Sequence, residues 1–271
     1  MKVKIIPHRG NVKINFRELY DFRDLLFLLI KRNITVKYVQ TIAGLLWAVI
    51  NPLFQMIIFT FVFKGIAKIN TGEIPYAIFS FSGIVPWTLF SNSLSQSTSS
   101  LESHKALITK VYFPRLIIPF SSVLSNLFDF FIAFLILFFM LIYFSLPIYL
   151  NLFFYIPFLT LFIVILSSGL GCLLTSLSAQ YRDVKHGVGL LINIWMYMTP
   201  IAYPIESIPE KYLSYYSINP MVGFISTFRS VIFGNQVNID LLAYSSISTI
   251  FLFIFGIYIF NKNSKSFADV I

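Results

Sequence analysis

Charge is scarce in this chain: Asp, Glu, Lys and Arg make up 11% of its 271 residues, while 57% are hydrophobic. An ordinary soluble domain does not have that balance. Cysteine is nearly missing. Cys172 stands alone, which excludes an intrachain disulfide and any CxxC motif, and His8, His104 and His186 are scattered, so no metal framework is expected. No GxxxxGK[ST] occurs, so the chain does not itself cradle nucleotide phosphates. The basic N-terminus lacks a compact apolar core with a small-residue cleavage site, and we expect no removable signal peptide.

Long apolar runs are what the sequence does contain. Crossing a bilayer takes about 20 mostly apolar residues, because ~30 Å is covered at ~1.5 Å per residue. Five charge-poor blocks meet that length: residues 38–63, 74–101, 116–181, 187–205 and 241–261. The third is too long for one crossing, and Pro147 within SLPIYLN (145–151) marks where it folds back. The sequence therefore predicts an all-α integral membrane protein with six transmembrane helices and both termini on one side. Residues 1–37 form an arm, 38–262 the membrane domain and 263–271 a tail.

Basic residues set the orientation, since cytoplasmic loops carry excess Lys and Arg. The arm holds nine, the island HKALITKVYFPRLIIP (104–119) three, the loop at Arg182 and Lys185 two, and the C-terminal end two, Lys262 and Lys265. The opposite face has Lys64, Lys68, Lys211 and Arg229. Both termini and the island are thus expected in the cytoplasm. Anionic lipid and topology account for most of the formal net charge of +9, with no need for nucleic acid.

Three pieces are not simple spans. FRELYDFRDLLFLLIKR (16–32) spaces Phe16, Leu19, Tyr20, Leu26, Phe27 and Ile30 as one helical stripe, which reads as an amphipathic helix in the inner interface. In the island, Leu107, Ile108, Val111 and Tyr112 form an apolar set bracketed by Lys105, Lys110 and Arg115 and ended before Pro114. Such a knob can dock into a groove of a cytoplasmic protein, whereas a turn that merely sets topology needs no stripe. In residues 206–235, Asn219 and Pro220 start a helix and Gly234 stops it after Phe233. Polar Glu210, Lys211 and Arg229 alternate there with aromatic residues, which predicts two short amphipathic helices dipping into the outer leaflet.

Candidate chemistry is sparse. Asp129 is the one carboxylate deep in a predicted span, where a charge costs about 3 kcal/mol at mid-bilayer. Hydrogen bonding to Ser125, Asn126 or a neighbouring helix and a transport role both remain open for it. One carboxylate is too few for paired acid and base catalysis, so no catalytic residue is assigned. RDVKH (182–186) reads as a polar inner loop. The hydroxylated run SNSLSQSTSS (91–100) suits either contacts between small residues or, with Asn51 and Gln55, a polar passage for sugars.

TIAGLLWAVINPLFQMIIFTFVF (41–63), IPYAIFSFSGIVPWTLFSNSL (74–94), KVYFPRLIIP (110–119), YRDVKH (181–186), MTPIAYP (198–204) and INPMVGFISTFR (218–229) together resemble the permease subunit of bacterial polysaccharide ABC exporters, the O-antigen and capsule type. The likeness runs in order over about residues 16–262. It implies a homodimer in the bacterial inner membrane, joined to two copies of a separate ATPase that binds ATP and Mg, the chain itself holding no cofactor. The cargo it implies is a glycan on undecaprenyl diphosphate. By position, Lys105, Leu107, Ile108, Lys110, Val111 and Tyr112 would form the coupling helix between spans 2 and 3. Tyr212, Tyr215, Tyr216, Asn219, Pro220, Phe224 and Phe228 would form the outer gate between spans 5 and 6. Arg32, Lys37 and Arg115 are candidates for the lipid diphosphate on charge grounds. The alternatives are a membrane enzyme or a flippase not driven by ATP, each acting on lipid-linked sugar.

Overall fold

The computed structural model describes residues 16–39, 41, 43–181, 183–264 and 267. Residues 1–15, Arg182 and Lys265, which entered the charge count above, lie outside that set. All regular structure among the described residues is helical. The chain order is α1 (Phe16–Asp21), α2 (Arg23–Tyr38), α3 (Leu46–Phe59) continued by a π-helical stretch (Thr60–Ile66), α4 (Tyr76–Thr98), α5 (Ser100–Ser103), α6 (Lys105–Lys110), α7 (Ile117–Ser125), α8 (Leu127–Tyr143), α9 (Leu152–Gln180), α10 (Asp183–Tyr197), a 3-10 turn (Ile205–Ser207), α11 (Glu210–Tyr216), α12 (Pro220–Phe233) and α13 (Ile239–Asn263).

Among the described residues, four helical segments are long and apolar enough to cross a membrane: Leu46–Ile66, Ile117–Tyr143, Leu152–Gln180 and Ile239–Asn263. Two of the six expected spans fall short of that description. Serine and threonine lower the hydropathy of α4, and α10 has 15 residues, about 22 Å of rise. The first apolar block also begins later than its composition suggests. Helix α2 ends at Tyr38, and Gly44 lies at φ +50° before α3 starts at Leu46. The fold-back lies where Pro147 put it: α8 ends at Tyr143 and α9 begins at Leu152, with Ser145 in the left-handed region between them.

Helix α4 is the centre of the bundle and packs on α3, α7, α8, α9, α10 and α12. One large core joins it to α8, α9 and α12 through Phe81, Phe90, Phe130, Leu137, Leu166, Phe224 and Phe228. A smaller core gathers Leu29, Leu101, Phe113, Ile117, Phe260 and Phe267 where α2, α7 and α13 meet. Helices α9 and α13 touch at glycine: a side-chain carbon on Gly256 would overlap the carbonyl of Gly169. Close backbone approach of that kind drives helix association where lipid tails are as apolar as the side chains.

The hydroxylated end of α4 divides by helical spacing. Ser93, Ser97 and Thr98 are buried. Thr175 donates to the Ser97 carbonyl and Ser178 to the Thr98 carbonyl, each at 2.6 Å, so this face is sewn to α9. Ser91, Asn92, Ser95 and Gln96 point the other way, into a cavity. The run thus makes helix contacts on one face and lines a cavity with the other.

Helix α12 has the predicted bounds, with Asn219 accepting from the Met221 amide at 3.0 Å and Gly234 at φ +74° ending it. It is not amphipathic as expected. Met221, Phe224, Ile225, Phe228 and Ile232 are buried, and so is Arg229, because the helix is apolar nearly all round and packs against α4, α9 and α13. Residues 183–186 of the expected RDVKH loop are helical instead. Asp183 opens α10, where a carboxylate complements the helix N-terminus, and Lys185 pairs with Glu102.

Candidate functional site

A cavity of about 710 Å³ runs between α3, α4, α8 and α10. Its walls follow an i, i+4 pattern. Helix α3 contributes Trp47, Asn51 and Gln55, and α4 contributes Trp87, Ser91 and Ser95 on one stripe with Thr88, Asn92 and Gln96 on the next. Helix α10 adds Gly189 and Asn193, again four apart, together with Ile192 and Met196. One face of each helix thus turns to the cavity while the rest packs on neighbours or is exposed. Sequence reasoning found Asn51, Gln55 and the serine run, but missed Trp47, Trp87 and Asn193. The i, i+4, i+8 spacing of indole and amide on α3 is the signal that would have found Trp47.

One end of the cavity is closed by an ion pair. Lys37, in the last turn of α2, donates to Asp129 on α8 and, at 3.4 Å, to the side-chain Oδ1 of Asn126. Tyr38 donates its hydroxyl to the other Asp129 oxygen, and Asn126 reaches Gln96 at 3.1 Å. Asp129 sits one turn past the break between α7 and α8, level with the end of α2. It is not isolated, and its charged partner comes from α2, 92 positions earlier in the chain. Of the three cations expected at the lipid diphosphate, Lys37 lines the cavity while Arg32 and Arg115 do not.

Toward the opposite end of α4 the segment between α10 and α12 is tied down. Trp195 donates to Asn219 at 2.9 Å, and Asn219 donates to Thr199 at 2.9 Å. Arg229 donates to the carbonyls of Pro200 and Ile201, to Phe79 at 3.3 Å and to Tyr203 at 3.4 Å. Its guanidinium lies 3.8 Å from the centre of the Phe79 ring, and a side chain on Gly83 would strike it. Of the residues expected at an outer gate, Tyr212 and Tyr215 are exposed, and Tyr216 meets the Tyr203 hydroxyl at 3.2 Å. Asn219 caps α12. Pro220, Phe224 and Phe228 belong to its buried surface, the two rings against Phe162 and Phe134.

The island is also divided. Helix α6 stops at Lys110, so Leu107, Ile108, Val111 and Tyr112 do not form one helical face. Leu107 and Ile108 pack inward on the smaller core, whereas Val111 and Tyr112 are 52% and 76% exposed. Lys105 and Lys110 are exposed beside them. Tyr112 donates to Glu18 at 3.3 Å, and that carboxylate holds its phenol above the ordinary range. The stripe expected on α2 splits likewise: Leu19 and Leu26 face the smaller core with Phe22, Leu25 and Leu29, while Tyr20 and Phe27 face out. Apolar Phe27, Leu28 and Val36 are exposed alongside the charged residues, so α2 has no clean amphipathic division.

Residues 24–233 match the family of ABC-2 type transporters. The chain is 29% identical over 262 residues to the O-antigen export system permease protein RfbA of Klebsiella pneumoniae, covering 96% of this chain and all of that one. It is 28% identical to RfbA of Myxococcus xanthus over 260 residues, with 94% and 98% covered. The polysialic acid transport protein KpsM of Escherichia coli is 22% identical over 233 residues, with 82% and 87% covered. With the family match spanning most of its length, the chain belongs to the ABC-2 type transporter family.

Proposed function

We propose that this chain is the permease of a polysaccharide ABC exporter of the bacterial inner membrane. It carries a glycan linked to undecaprenyl diphosphate outward and catalyses no reaction itself. The observation that carries this reading is the cavity, where amides, hydroxyls and two indoles line a membrane protein along its most buried helix. Sugar faces stack on aromatic rings, and their hydroxyls need donors and acceptors. The named exporters at similar length support the same cargo class.

A second copy completes the path. Exposed apolar residues flank the cavity on both sides, Phe54, Ile58 and Phe61 on the α3 segment and Leu190, Ile194 and Tyr197 on α10. Polar walls open to lipid are unfavourable, and a homodimer joined along these helices would enclose them as a pore. In this arrangement α4 and α10 are the second and fifth of six spans, shielded by their neighbours and so free to be polar or short. Both termini are cytoplasmic. Two copies of a separate ATPase, holding ATP and Mg, drive the cycle through the segment at Lys105–Lys110 and the exposed Val111 and Tyr112.

Replacing Val111 and Tyr112 with Glu tests this. The expected outcome is loss of a co-purifying ATPase and accumulation of lipid-linked glycan inside cells, with the permease still folded. An ATPase that stays bound and coupled in that variant overturns the assignment of the docking segment. Export that proceeds without nucleotide hydrolysis overturns the exporter reading.

A further inference from the structure

The charged residues that line the cavity are Lys37 and Asp129, and they neutralise each other. Neither is sealed from it: 34% of the Lys37 side chain and 16% of that of Asp129 remain exposed. A bare ammonium at the mouth of a polar cavity would attract the singly charged phospholipids around it. An internal carboxylate removes that attraction, because it competes at an effective concentration that a single headgroup does not match. Two features make the partnership exchangeable. The lysine has a long, flexible stem, whereas Asp129 is fixed on α8. The carboxylate also keeps the Tyr38 hydroxyl on its other oxygen, so the departure of Lys37 does not leave it unpartnered.

We propose that Asp129 is an internal counter-ion that Lys37 exchanges for a multiply charged phosphate headgroup, which makes the pair a filter that counts charge and turns away singly charged phospholipids. This rests on reading the cavity as the path of a lipid-linked glycan. A diphosphate offers Lys37 more negative charge than one carboxylate does, and Gln96 and Asn92 on the adjoining wall can donate to its oxygens. A phosphatidylglycerol headgroup offers no such surplus.

The test uses the permease–ATPase complex in nanodiscs of phosphatidylcholine with increasing phosphatidylglycerol, probed with undecaprenyl diphosphate lacking sugar. Wild type binds the probe with an affinity that phosphatidylglycerol barely changes. Asp129→Asn binds it about fivefold more tightly in phosphatidylcholine, and loses that gain as phosphatidylglycerol rises. Lys37→Met loses probe binding, and adding Asp129→Asn to it restores nothing. An Asp129→Asn complex with wild-type affinity and wild-type indifference to phosphatidylglycerol refutes the filter. If that variant does not assemble, wild type decides alone, since probe binding that falls in proportion to phosphatidylglycerol also refutes it. A wild-type complex that ignores the probe but hydrolyses ATP in response to a full lipid-linked glycan sinks the filter and leaves the exporter reading intact. A complex that responds to no lipid-linked glycan removes both.

Discussion

Lys37 and Arg229 lie near opposite ends of α4 and share a difficulty, a full positive charge withdrawn from bulk water, which they meet with different partners. Arg229 is 8% exposed and rests in backbone carbonyls from the 200–203 turn and from Phe79, none of which can leave without unfolding the turn or the helix. Its charge is spread over a fork that several partial charges can hold at once. Lys37 has a side-chain carboxylate in a wet cavity. A fixed cradle makes a clamp that joins α12, the 200–203 turn and α4. A single side-chain partner leaves the long-stemmed lysine free to move.

The largest effect that would break this comparison lies at the clamp. Arg229→Leu should destabilise the purified permease by about 3 kcal/mol, since it strands buried carbonyls, and thermal unfolding reads the loss. Arg229→Lys should recover only part of it, because an ammonium cannot span the same acceptors. Lys37→Met should shift stability by about 1 kcal/mol or less, as its pair is partly solvated, while transport falls sharply. Equal losses for the two cations would erase the distinction drawn between them.

The smallest effect belongs to His104, a third withdrawn group, which stays neutral. Burial lowers its pKa from the ordinary 6.5, against the raising effect of its hydrogen bond with the Ser100 carbonyl at 2.8 Å, and Arg32 lowers it further. The stability this gives is present above that ordinary value and declines as pH falls beneath it, because the unfolded chain takes up the proton first. Thermal midpoints from neutral pH downward should fall in wild type and flatten in His104→Gln.

Local signals were legible in the sequence, and pairings across the chain were not. Asn219, Pro220 and Gly234 fixed the bounds of α12 through capping chemistry that acts within a few residues, and Pro147 located the turn between α8 and α9 in the same way. No local pattern could show that Lys37 meets Asp129, 92 positions away, or that Phe224 and Phe228 turn into the core rather than toward a passage. Charge alone placed Arg32, Lys37 and Arg115 on an equal footing, and only folding separates them. The apolar sets on α2 and in the island misled for a related reason. Where nearly every side chain is apolar, a stripe does not say which neighbour it will choose, and in the island Lys110 ends the helix before the set is complete.

The division of α4 into a face sewn to α9 and a face bare to the cavity has an evolutionary corollary. Substitutions at positions 93, 97 and 98 would tear the scaffold, whereas those at 91, 92, 95 and 96 retune the lining at little structural risk. A lineage adapting to a new surface polymer can therefore rewrite one side of a single helix while inheriting the other unchanged.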